Sequence, residues 1–356
     1  QQVAIGNRCA ESTTTGTQNT AVGSNALQVN TTGDQNVAVG CESLDANTTG
    51  NYNNAIGYLS LSANTDGSYN VANGQSALRR STTGSYNTAI GQGSLAYNTT
   101  ADNNTAIGAQ SLLANTTGAD NTAVGTYVLD ANTTGGSNVA VGYLALSGNT
   151  TATHNVAVGR VALGANTTGT QNVAIGNYAL DASNADYNVA MGYAAGGKIT
   201  TGTQNVFIGR SANKEGTTCN DCVCIGDRAG DGNTGNQNTF IGGRAGSSGG
   251  NGGGTMNVGI GFWALYSAGT STASYNVAIG GYCMENNSSG QNNVAVGYEA
   301  LEENTTGVSN TGVGRKAATS ITTGTYNTAV GDNSLAGNTT GNYNVCIGAN
   351  AGNQVD

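Results

Sequence analysis

The side chains able to do chemistry are few and scattered. The run T-T-C-N-D-C-V-C puts Cys219, Cys222 and Cys224 within six residues, a spacing open to a metal site, a Cys219–Cys222 disulfide or free thiols. Cys224 and Cys346 stand where most copies of the repeat described below have Ala, and Cys9 and Cys283 stand at a second small position. Most thiols therefore read as small core residues, and a disulfide or free thiols at Cys219 and Cys222 is preferred to a metal. His154, the only histidine, occupies a place filled elsewhere by Gln or Tyr and reads as a surface ladder residue rather than a general base. The 20 acidic residues fall at different places in the repeat, whereas acid–base catalysis on a solenoid needs carboxylates converging on one groove. No Ser-His-Asp set can be drawn, and the G-G-x-G-x-D calcium pattern is absent. The expectation is a chain that is not an enzyme and carries no cofactor.

Two recurrent residue types have binding chemistry. Tyr52, Tyr69, Tyr86, Tyr187, Tyr275, Tyr326 and Tyr343 recur at one place in the repeat, as a broken aromatic stripe open to sugar contact or to plain cross-coil packing. Sequons recur in N-[TS]-[TS] loops, so Asn30, Asn47, Asn115, Asn132 and Asn166 are candidate glycosylation sites; the preferred reading is that N-T-T-G is good turn chemistry from which sequons follow by accident.

All of these sit on one repeat. Aligned on the glycine of N-x-A-[VI]-G, the chain shows 21 copies from Gly6 to Gly348, spaced 17 residues apart except for 16 before Gly192 and Gly242 and 19 before Gly261 and Gly280. The 356 residues are therefore read as one repeat domain, 1–356, with irregular coils at about 190–280. Numbered from that glycine, a unit has Asn at −4, Val or Thr at −3, Ala at −2, Val or Ile at −1, Ala or Ser at +3, Leu at +4, then N-T-T-G. Two short apolar segments separated by Gly and a turn predict two strands and two corners per coil, stacked in parallel: an all-β parallel β-solenoid of about 21 coils with a 17-residue repeat. At about 4.8 Å per coil such a stack makes a rod roughly 100 Å long.

The repeat also predicts its interior. Asn at −4, present in 19 of the 21 copies, is expected to form a hydrogen-bonded ladder through Asn19, Asn36, Asn53, Asn70, Asn87, Asn104, Asn121 and Asn138. Position +4 is Leu in 13 copies, with Leu27, Leu44 and Leu61 as core examples. Where +4 shrinks to Asn213 or Gly246, −2 grows to Phe207 or Phe240, and where +4 is Gly230 or Gly352, −2 is Cys224 or Cys346. A lost side chain replaced elsewhere implies one shared interior. Gly196 breaks the rule, since its coil keeps Ala190 and enlarges Met191 instead. With −2 inside, −3 and −1 face outward, yet −1 is Val, Ile or Met in every copy but Asn73. A strand apolar on both faces must be covered on both, which predicts lateral association of chains.

Composition excludes several partners. Charged residues are 9% against a usual value of about 25%, net charge is −9, and only 11 residues are basic, so neither nucleic acid nor anionic lipid is an expected partner. No apolar run reaches the length of a membrane span, so no membrane insertion is expected.

The units N-V-A-V-G-C-E-S-L, N-T-A-I-G-Q-G-S-L and N-V-A-I-G-N-Y-A-L resemble the head repeats of trimeric autotransporter adhesins and the similar repeats of phage tail-fibre-like proteins. The resemblance implies a left-handed β-roll, three chains packed side by side, and a structural or adhesive fibre outside the cell, at a cell or virion surface, with host-surface glycans or proteins as partners. The unit here is longer than the family's, and no coiled-coil stalk or membrane anchor is seen. Gln1 enters the array at nearly the phase at which Asp356 leaves it, which is read as a segment of a longer fibre or as end-to-end stacking. The alternative functions are an ice-binding solenoid, through paired Thr, and a glycan-binding one.

Overall fold

The computed structural model describes residues 1–248, 252–267, 269 and 271–354; Asp356, on which the reading of the chain end rests, lies outside them. The chain is all-β, a parallel solenoid of 21 three-residue strands from Val3–Ile5 to Val345–Ile347. It divides into two compact units, residues 1–177 and 178–356, each described by itself. In the first, Val37–Val39 pairs with Asn54–Ile56 so that Ala38 lies beside Ala55; in the second, Val277–Val294 and Ala278–Ala295 pair in the same way. Every strand consists of the residues −3 to −1, so β-branched side chains alternate with Ala at the one place where the pleat allows it.

Only one strand forms per coil, which corrects the expected two. The Ser-Leu segment is a turn in which +2 and +4 are left-handed: Glu42 and Leu44 have φ of 53° each, and Leu95 and Leu112 have 51°. An extended strand sends neighbouring side chains to opposite faces, but Ser43 and Leu44 are both wholly buried, which the left-handed residues permit. Bulky residues avoid this region at about 1–2 kcal/mol each. Contacts with the next coil offset that cost: Leu44 N–H donates to Ser60 O at 3.0 Å, and Ser43 Oγ donates to Ala55 O at 2.9 Å.

The motif glycine is dictated by the stacking. Gly91 has φ of 127°, and a Cβ there would lie 2.6 Å from Gly108 O one coil on. Leu27, Leu44, Leu61, Ala21, Ala38 and Ala55 are fully buried, so −2 and +4 share one interior as the pattern of exchanges required. Phe207 is likewise fully buried, and Phe240 nearly so. Gly196 ceases to be an exception: a Cβ on it would lie 2.7 Å from Phe207 Cδ2, so the ring fills the space of the preceding coil, while Met191 points outward at 40% exposure. The exchange therefore runs between neighbouring coils as well as within one.

Candidate functional site

The Asn ladder is an internal backbone-satisfying column. In the first unit Asn70 donates from Nδ2 to Gly84 O at 2.8 Å and to Asn53 Oδ1 at 3.1 Å, while its own Oδ1 accepts from the Asn87 N–H at 3.0 Å. The same pattern carries Asn36, Asn53, Asn104, Asn121 and Asn138, each of whose N–H groups reaches the Oδ1 of the preceding coil's Asn at 2.9–3.0 Å. Buried backbone groups must find partners, and a primary amide supplies donor and acceptor together.

A second Asn column was missed by reading N-T-T-G as a surface turn. Asn47 Nδ2 donates to Asn30 Oδ1 at 2.8 Å and Gly50 O at 3.0 Å, and Asn132 Nδ2 donates to Asn115 Oδ1 at 2.8 Å and Gly135 O at 2.9 Å. Asn30, Asn47, Asn115, Asn132 and Asn166 are all 0% exposed. A glycan on Nδ2 has no room in the folded coil, so the sequon reading is corrected: these are core amides. The signal available in the sequence was the replacement at Gly216. A Cβ on Gly216 would sit 2.7 Å from Asn213 Cγ, so Asn213 at +4 delivers the missing amide from another backbone position.

The cysteines carry no disulfide. Cys219 and Cys222 are free and buried, which corrects the pairing considered above. Cys222 stands in the Asn ladder and donates from Sγ to Gly235 O at 3.2 Å, while Asn213 Nδ2 donates to Cys219 Sγ at 2.9 Å. A hydrogen bond with Cys222 and burial raise the Cys219 thiol; the same bond lowers Cys222. Burial raises Cys224 well above the usual thiol range and pushes Cys283 up to about 12, which leaves both inert. Cys9 and Cys283 copy the serine at +3, donating to Ala21 O at 3.2 Å and Ala295 O at 3.3 Å. Among the described residues no group of three or more His, Cys, Asp and Glu could hold a metal.

On the surface, Tyr52, Tyr69 and Tyr86 stack at 4.8 and 5.0 Å with rings 8° and 4° from parallel. Stacked rings cover each other's faces and present edges, so this column suits cross-coil packing better than sugar stacking. His154 is exposed; its Nδ1 lies 3.0 Å from the Thr153 hydroxyl in its own turn, and its backbone N–H donates to Gly136 O at 3.2 Å. The paired Thr do not form a two-file hydroxyl array either. Thr31 Oγ1 donates to Thr48 O at 3.0 Å and Thr48 Oγ1 to Thr65 O at 3.0 Å, so in these two pairs only Thr32 and Thr49 are exposed.

The outer strand face is a repeated exposed apolar surface. In the strands between the first and the last the central residue is buried and its two neighbours are half-buried or exposed. Ile56, Ile90, Ile107 and Val158 stand out from the first unit at 37%, 38%, 37% and 36% exposure. Ile241, Ile260 and Ile279 do so from the second at 36%, 36% and 39%. Such continuous apolar stripes mark interaction surfaces.

No family model matches the chain, and no curated protein matches it. The functional reading therefore rests on these residues: two buried Asn columns that hold coils together, and an outer Val/Ile stripe that nothing in the single chain covers.

Proposed function

We propose that the chain is a non-enzymatic structural or adhesive fibre protein, working as a homotrimer whose strand faces meet. The observation that carries this is the outer face, where Val or Ile at −1 recurs coil after coil beside Val or Thr at −3. A partner that covers such a face along its length needs the same period, and a second copy of the chain has it. Burying a Val or Ile fully is worth about 1.5–3 kcal/mol, so covering a side chain already about two-thirds buried adds roughly 0.5–1 kcal/mol per coil. Multiplied over many coils, this favours a stable assembly over a transient one. Three copies, rather than two, follow from the resemblance to trimeric adhesin heads, as does a location outside the cell at a cell or virion surface.

The experiment is mass measurement by light scattering on the purified folded chain, with three times 35.3 kDa expected. A stable folded monomer at 35.3 kDa would sink the proposal.

A further inference from the structure

The chain is poor in cations, yet five of its 11 basic residues, Lys198, Arg210, Lys214, Arg228 and Arg244, fall between 198 and 244. This is also where the period slips: the 16-residue coil from Gly226 to Gly242 is followed by a 19-residue coil from Gly242 to Gly261. The longer coil bridges back at Asn233 to Gly252 and forward from Ser248 to Ser267. Beside this mismatch the second unit has an open groove of about 570 Å³, lined among others by Lys198, Glu215, Arg228, Asp231, Arg244 and Tyr266.

Its charges are not arranged like those elsewhere in the unit. Arg210 pairs with Asp227 at 2.8 Å one coil on, and Arg315 pairs with Asp332 at 2.9 Å in the same manner. Arg228 and Arg244, stacked at equivalent places in successive coils, have no such carboxylate among the described residues. Arg244 instead lies 5.5 Å over the ring of Trp263, which stacks on Tyr266 at 4.5 Å. Trp263 Nε1 is buried with no hydrogen-bond partner among the described residues. Asp231 attracts Arg228 but forms no ion pair with it, so two cations at equivalent places of successive coils share too little negative charge, and a bound anion relieves them.

We infer that this groove binds an acidic saccharide, with the sugar carboxylate or sulfate on Arg228 and Arg244. Tyr266 ends its stack, with one face on Trp263, so unlike a ring inside the Tyr52–Tyr86 column it has a second face to offer as an apolar wall for the sugar's C–H face. Glu215, already ion-paired with Lys198 and Lys214, and Asp231, which accepts the Glu215 N–H at 3.0 Å, place carboxylate oxygens in the same groove to accept sugar hydroxyls. Carboxylate acceptors match the free hydroxyls of a sugar, which a DNA backbone lacks, and so favour a saccharide over a nucleic acid. A small polar-and-aromatic cleft of this size suits an oligosaccharide of a few residues. The inference goes beyond the fibre reading and does not depend on it, because none of these groups belongs to the strand face.

Trp263 is the only tryptophan and lies against Arg244 and Tyr266 of the lining, so its fluorescence reports on changes around those two residues. The full chain is titrated with an oligogalacturonate and, separately, with neutral dextran, poly-Glu and a single-stranded DNA oligomer. Saturable change with the uronate alone is expected, weakened about tenfold by Arg244→Gln and by Arg228→Gln. Arg80→Gln, which removes a cation stacked 4.5 Å over Tyr97 in the other unit, is expected to leave it unchanged. Circular dichroism of each variant confirms the fold, and the light-scattering mass is recorded in parallel so that failure of the oligomer and failure of this site are told apart. The inference is overturned by an absence of uronate binding, by equal binding of dextran, poly-Glu or DNA, or by an equal loss in Arg80→Gln.

Discussion

Replacing Asn70 separates the contributions of the internal ladder. Its side chain supplies a donor to Gly84 O at 2.8 Å and an acceptor to Asn87 N–H at 3.0 Å, both deep inside the coil. Asn70→Ala takes these partners away, at about 1–3 kcal/mol for each buried group, so the local loss is about 2–6 kcal/mol. Asn70→Asp keeps the acceptor but turns an oxygen toward Gly84 O. That oxygen can donate only when protonated, so the folded-state pKa of the new carboxyl is raised above its unfolded value of about 3.9. The stability contributed by the protonated form is present below about pH 4 and lost as pH rises through the raised folded value. Asn70→Asp should therefore approach wild type near pH 4 and fall toward Asn70→Ala at pH 7. Because each coil contacts only its neighbours, the readout is local: hydrogen exchange of peptides covering residues 70–90 in the full chain, corrected for intrinsic rates at each pH. If Asn70→Ala changes local opening by less than about 0.5 kcal/mol, or if Asn70→Asp is best at pH 7, the ladder is not what holds the coils together.

Other substitutions test other parts of the fold. Gly91→Ala puts a Cβ 2.6 Å from Gly108 O, so it is expected to abolish protection in the adjoining coils rather than trim it; near-normal exchange there would contradict the close stacking. Phe207→Ala should cost about 3–5 kcal/mol locally, and adding Gly196→Leu should restore part of that because the leucine enters the space the ring leaves; purely additive losses in denaturation would argue against a shared cavity. Burial raises the Asp45 carboxyl to about 6, so in the folded state its ionised form is disfavoured and stability falls as pH rises through that value. Asp45→Asn is thus expected to stabilise at pH 7, on the order of 1 kcal/mol after solvent screening, and to give no gain at pH 4, as read by thermal melts. On the proposed trimer, Ile90→Asp should reduce the mass in light scattering to that of the single chain, whereas Leu44→Ala should lower stability by about 2–5 kcal/mol with the mass unchanged.

The sequence by itself determined the period, the parallel stacking, the Asn ladder and the interior shared by positions −2 and +4. These are relations between identical places in successive coils: a side chain that shrinks at +4 and grows at −2 reveals a shared space without any coordinates. The tertiary structure alone decided which way the turns face. Strand alternation assigned an extended segment to Ser43 and Leu44, but left-handed residues at Glu42 and Leu44 turn both side chains inward, and residue type does not announce a left-handed leucine. For the same reason Asn47 looked like a surface turn residue and lies in the core, where its amide meets Asn30 and Gly50. The ring of Phe207 in the space beside Gly196 likewise depends on a distance across coils that spacing along the chain does not encode. Periodicity fixes which residues are equivalent, whereas the backbone dihedrals of each turn fix whether those equivalent side chains meet one another or water.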